Sequence, residues 1–169
     1  MALLGKPEFR NLEDLFVQQL GDLYDAEQRL TEALPKMAEA ASNDQLKQAF
    51  SDHLRETKTH VTRLEGIFRQ LGRDPVRETC HGIKGLIREG EDMIGAHGDD
   101  DVRDAGLIAA AQRVEHYEMA GYGTVRAFAR RLGHESIAGT LQQTLNEEGA
   151  ADHKLTAIAE STVNTKAAV

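Results

Sequence analysis

An all-α fold is what this sequence predicts: a bundle of two antiparallel helical hairpins with a short fifth helix in the crossover between them. Three observations carry that expectation. The 169 residues include only three prolines and no tryptophan, while Ala, Leu and Glu are the commonest types, which favours helix over strand. Apolar residues recur at three/four spacing along four long stretches. Short turns join these stretches in pairs and one long connection separates the pairs, the arrangement of a four-helix bundle with a crossover. One domain over 1–169 suits the length, since about 150 residues already bury roughly two thirds of the unfolded chain's surface.

Residues 1–10 read as a lead-in. Asn11 before Leu12, Glu13 and Asp14 is an N-cap with acids in the first turn, and a helix over about 11–41 follows. Its stripe of Phe16, Leu20, Leu23, Leu30 and Leu34 has Glu27 in the middle, and Pro35 predicts a kink or break near Thr31–Leu34. Ser42-Asn43-Asp44 turns the chain into a helix over 44–71. Its inward Leu46, Phe50, Leu54, Leu64 and Phe68 run alongside His53 and His60, with Glu56 at the stripe's edge, and Gly72 ends it. A polar loop containing Pro75 leads to the crossover helix over 80–96. The acidic turn before Val102 starts a helix over 102–132, stopped by Gly133. The last helix, over 135–163, aligns Glu148 and Asp152 with Ile137, Leu141, Leu145 and Leu155, and residues 164–169 should fray. A shift of 91 residues lays Glu27 on Glu118 and Leu54 on Leu145, a weak internal echo.

The formal charge of −8, with no basic cluster interleaved with aromatics, argues against nucleic acid. No apolar run is long enough to suggest a membrane span, and the lone Cys80 cannot form an intrachain disulfide; a cytoplasmic location is expected. Cys80 near a helix start invites a lowered pKa, but burial is the commoner fate.

The informative feature is polar. Glu115 and Glu118, one turn apart, face inward, and burying unpaired carboxylates costs several kcal/mol, roughly. Glu27, His53, Glu56, His60, Glu148 and Asp152 add inward candidates, so all four long helices contribute at one level. A bundle holding two carboxylate-bridged metal ions wants a Glu from each of two helices and a Glu with a nearby His from each of the others. His53 and His60 compete for one role, the other becoming a hydrogen-bonded neighbour. His116 lies off the stripe as a partner to a carboxylate or backbone group. Glu147 and His153 read as solvated surface, the acidic Asp99–Asp101 as a solvated turn, and Tyr24, Tyr117 and Tyr122 as packing.

The segments L-Y-D-A-E-Q-R-L at Leu23–Leu30, H-L-R-E-T at His53–Thr57, R-D-A-G-L-I-A-A-A-Q-R-V-E-H-Y-E at Arg103–Glu118, Tyr122-Gly123, and L-N-E-E-G-A-A-D at Leu145–Asp152 closely resemble the YciE/YciF-like proteins of the ferritin-like superfamily. The resemblance implies a ferritin-like, rubrerythrin-like bundle, a site for two metal ions (iron first, manganese second), a homodimer and a link to bacterial stress. Carried over by position, the implied ligands are Glu27, Glu56, Glu115 or Glu118, and Glu148, with His53 and Asp152 close by. Thr59 and Ala151 depart from the usual E-x-x-H order, and a more oxygen-rich shell favours harder ions. Two function classes follow: an oxidase or peroxide-consuming di-iron enzyme acting on a small oxidant, or a non-catalytic metal-binding or interaction protein.

Overall fold

The computed structural model describes residues 8–168. Five helices make the body: α1 (Leu12–Ala40), α2 (Asp44–Gln70), α3 (His81–Ile94), α4 (Asp100–Arg131) and α5 (Glu135–Ile158). No strand occurs among the described residues. α1 pairs with α2 and α4 with α5, the two hairpins meet along α1–α4 and α2–α5, and α3 lies across α1 and α4.

Local chemistry sets the ends. Asn11, Asn43 and Asp99 each accept a hydrogen bond from a backbone N–H in the first turn of α1, α2 and α4. Gly72 and Gly133 follow α2 and α4 with φ of 68° and 81°, a region that penalises any Cβ. The α1–α2 turn is pinned from across the bundle: buried Asp104 of α4 accepts from Ser42 N at 2.9 Å and Asn43 N at 2.6 Å. Asp25 performs the same service for the crossover, taking Arg29, Arg77 and the Cys80 N–H. At the start of α3, Gly82 leaves room for Tyr117, because a Cβ there would come within 2.5 Å of the phenol ring.

Two sequence expectations are revised, the break at Pro35 and the frayed C-terminus, while Cys80 meets the commoner fate of burial. α1 continues through Pro35 to Ala40 rather than breaking; the prolyl ring costs the bond to Thr31 O without ending the helix, whose face there packs through Leu34 and Met37. α5 passes at Ala159–Val163 into a π-helical turn, and α6 (Asn164–Ala167) follows instead of frayed chain. Ala159 and Val163, one turn apart within the π-helical segment, are both buried. Cys80 is fully buried and caps α3 through Sγ, and burial raises its thiol pKa, the reverse of activation. The lead-in expected over 1–10 lies mostly outside the described residues.

The core is split. One apolar cluster gathers Leu30, Leu34, Leu46, Phe50, Leu107 and Leu155, and another gathers Phe16, Leu20, Leu64, Phe68, Val125 and Leu141. Between them lies a buried polar layer.

Candidate metal centre

All four long helices feed that layer. Glu27 comes from α1, His53 and His60 from α2, Glu115 and Glu118 from α4, and Glu148 from α5, each with at most 6% exposure. At about 100° per residue, His53 and His60, seven apart, differ by only about 20° around α2, so both point inward. Glu115 and Glu118, one turn apart, do the same on α4.

The side chains form two groups that share one member. Single ligand atoms from His53, Glu115, Glu118 and Glu148 lie within 4.8 Å of one another, and so do atoms from Glu27, His60 and Glu148. His53 Nε2 is 3.3 Å from Glu115 Oε1 and 3.7 Å from Glu148 Oε2. His60 Nδ1 is 3.3 Å from Glu27 Oε1 and 3.0 Å from Glu148 Oε1. Glu148 thus offers one oxygen to each half, and each half contains one of the two histidines that the sequence made rivals.

Electrostatics leave this layer unsatisfied. Burial, then the fields of Glu27, Glu148 and Glu115, lift Glu118 well above the ordinary carboxylate range. Glu115 is raised by burial and by Glu148 to about 8. Burial opposes charge on both histidines, yet the surrounding carboxylates outweigh it and raise His53 to about 9 and His60 to about 11. Even so, Glu27 Oε2, His53 Nε2, His60 Nδ1, Glu115 Oε2 and both oxygens of Glu118 and of Glu148 have no hydrogen-bond partner. Buried polar atoms are ordinarily paired, and these belong to the very side chains that converge. Two imidazolium rings would answer only part of this, since Glu118 faces neither within contact distance. The donor set suits a cation: carboxylate oxygens and imidazole nitrogens, with four acids whose summed charge two divalent ions would neutralise. The cluster can hold metal.

Two sequence candidates stand outside the groups. Glu56 lies about 40–60° around α2 from the histidine line at about 100° per residue. Its carboxylate is half exposed, 3.4 Å from His53 Nδ1, and it props that ring rather than converging with the others. Asp152 turns to the α4–α5 surface, where it accepts from Gln112 Nε2 at 3.0 Å and lies 3.3 Å from His116.

Two supporting residues were missed. Glu147, read as surface, accepts from His60 Nε2 at 2.8 Å and forms a two-pronged ion pair with Arg63. Because a carboxylate so paired cannot donate, Nε2 carries the proton and Nδ1 faces Glu27 and Glu148. Arg63, one turn beyond His60, is the signal in the sequence. Tyr122, read as packing, is buried and donates its O–H to Glu27 Oε1. Tyr24 instead bonds Glu65, and Tyr117 reaches Cys80 Sγ at 3.1 Å.

The model of a family described as "Domain of unknown function (DUF892)" matches residues 11–168. The chain belongs to that family. Its relatives include Protein YciF of Escherichia coli strain K12, 45% identical over 159 residues, which cover 94% of this chain and 96% of YciF. The solved structure of YciF, described as an E. coli stress protein, superposes with a TM-score of 0.89, covering 92% of this chain and 99% of that one at 44% identity. YcfI from Rhodopseudomonas palustris gives 0.87 at 44% identity, covering 90% and 98%. A two-domain protein from Anabaena variabilis with a ferritin-like domain matches at 17% identity and a TM-score of 0.61, over 91% of this chain and 38% of that one, and supports the fold alone. The DUF892 chain is thus a homologue of a bacterial stress protein with a ferritin-like bundle. No helix among the described residues is long and apolar enough to cross a membrane.

Proposed function

We propose that this protein holds two metal ions, iron in preference to manganese, between α1, α2, α4 and α5, and consumes peroxide as part of a bacterial stress response. The observation that supports it is the convergence of unpartnered, fully buried ligand atoms from Glu27, His53, His60, Glu115, Glu118 and Glu148. Glu148, common to both groups, would offer one carboxylate oxygen to each ion. Two ferrous ions, when bound, would supply two electrons, which with two protons convert hydrogen peroxide to two molecules of water.

The residues around them do the rest. The Tyr122 O–H fixes Glu27 through Oε1 and leaves Oε2 free to ligate. Glu147, braced by Arg63, holds the Nε2 proton of His60 so that the Nδ1 lone pair faces inward. Glu56 steadies His53 from the Nδ1 side and leaves Nε2 toward Glu115 and Glu148. The apolar clusters on either side limit water in the layer. A homodimer, implied by the family resemblance, and a cytoplasmic location, expected from the sequence, belong to the same proposal.

Anaerobic titration of chelator-stripped protein with ferrous ion, followed by one equivalent of peroxide, tests the reading. Two ions should bind per chain, and peroxide should disappear as they are oxidised. Failure to bind iron or manganese would end it, and bound iron that stays ferrous beside peroxide would reduce it to a structural metal site.

A further inference from the structure

Two openings lead from the surface to His53 and Glu115, one with charged groups along its walls and the other almost wholly apolar. Between α2 and α5 lies a cleft of about 400 Å³ whose walls carry Asp52, Arg55, Glu56, Thr59 and Lys154 beside Phe50, Leu155 and three alanines, and which reaches the two central residues. Charged groups of that kind suit hydrated ions and peroxide. On the far side, beneath α3, a smaller cavity of about 40 Å³ is walled by Leu34, Met37, Ile87, Gly90, Ala111 and Val114, and its inner end is again His53 and Glu115. Lys36 Nζ and Glu91 Oε1, 3.4 Å apart, bridge α1 and α3 at its rim.

Size and polarity select the occupant. At about 10–15 Å³ for each water-sized position, the cavity has room for about three. Water along its walls would lack the two to four polar partners that hold buried water in place, roughly the condition in which apolar cavities stay dry and take up xenon or benzene. An ion would have to shed its hydration shell to enter, at a cost of several kcal/mol at least, roughly. A non-polar gas sheds nothing. Small side chains keep the space open: a Cβ at Gly90 would lie 3.6 Å from Met37 Sδ and 4.0 Å from Ala110 Cβ, so the glycine faces the gap between α1 and α4 without being forced by crowding.

We propose that the cavity beneath α3 admits and holds dioxygen against His53 and Glu115, while ions and peroxide use the α2–α5 cleft. The inference rests on the metal-centre reading for its purpose, but the cavity can be probed without metal. Crystals of chelator-stripped protein under xenon pressure should show xenon between Met37, Ile87 and Val114. In Gly90→Leu, whose side chain fills the space, that xenon should vanish, and in Ile87→Ala it should persist; helix content and melting temperature verify that both variants fold. With ferrous ion loaded under argon, Gly90→Leu should bind as much iron as wild type and react with peroxide at an unchanged rate, while its reaction with dioxygen slows about tenfold, as expected of blocked access. Xenon absent from the wild-type cavity would overturn the proposal, as would equal rates with dioxygen in wild type and folded Gly90→Leu. A protein that takes up xenon but binds no metal would refute the metal-centre reading and leave the cavity standing as a gas site.

Discussion

Glu148 Oε1 sits 3.0 Å from His60 Nδ1, while the other oxygen of the same carboxylate turns 3.7 Å toward His53 Nε2. A single α5 side chain therefore joins two ligand groups that share no other member. Removing it should harm both at once. Glu148→Ala is expected to lower ferrous binding from two ions per chain to less than one, whereas His60→Ala keeps the ion served by His53, Glu115 and Glu118. Anaerobic titration distinguishes these, and two ions retained in Glu148→Ala would remove Glu148 from its bridging role.

Arg63 lies outside both groups, yet it holds Glu147 against the Nε2 of His60. Arg63→Ala should free Glu147 into solvent and let the imidazole rotate or change tautomer, weakening metal affinity by about 10–100-fold, the usual loss when a partner behind a ligand histidine is removed. Arg63→Lys should recover part of this, because it restores charge but not the two-pronged geometry. Competition with a chromogenic chelator measures the constants. Equal affinities for wild type and both variants would show the ring to be fixed by packing alone.

The bundle was legible in the sequence because helix periodicity is a local signal. Glu27, Glu115, Glu118 and Glu148 stood out for the same reason: each interrupts an apolar stripe. What escaped depends on neighbours. Glu147 occupies the seam between α2 and α5, where a residue off the stripe's centre is still half covered, and only the position of Arg63 on the other helix reveals its partner. Glu56 and Asp152 failed to converge because the helices meet along narrower lines than an apolar stripe suggests, and 40–60° of rotation moves a carboxylate from core to cleft, at about 100° per residue. Continuity through Pro35 was equally hidden, since packing by Leu34 and Met37 outweighs one missing hydrogen bond.

The metal-free protein should lose stability as pH rises. His53 and His60 have folded values of about 9 and about 11 against an ordinary 6.5, so their contribution is complete below about pH 6.5 and fades as pH climbs through those folded values. Glu115 acts with the same sign: its folded value of about 8 against 4.5 means that the folded chain holds a proton the unfolded chain has already released. Chelator-treated protein should therefore melt at least about 5 °C lower at pH 9 than at pH 6, on the scale of roughly 2–4 °C per kcal/mol for a chain of this size. Metal displaces those protons, so the melting temperature gained on adding metal should widen with pH. A flat or rising profile for the stripped protein would contradict the folded-state values.

Glu118 gives the sharpest contrast between stability and function. It is fully buried, both oxygens lack partners, and burial with three neighbouring acids raises its pKa well above the carboxylate range. Nothing in the metal-free protein repays the cost of placing it there. Glu118→Leu, close in size and apolar, should therefore stabilise the stripped protein by about 1–3 kcal/mol, the cost of a buried polar group left without a hydrogen-bond partner. The same change should weaken metal binding at the His53, Glu115 and Glu148 group and erase most of the stabilisation that metal confers on wild type. Denaturant melts with and without ferrous ion read both effects. A stripped Glu118→Leu protein less stable than wild type would mean that Glu118 serves packing rather than a ligand, and the site would then rest on the remaining carboxylates.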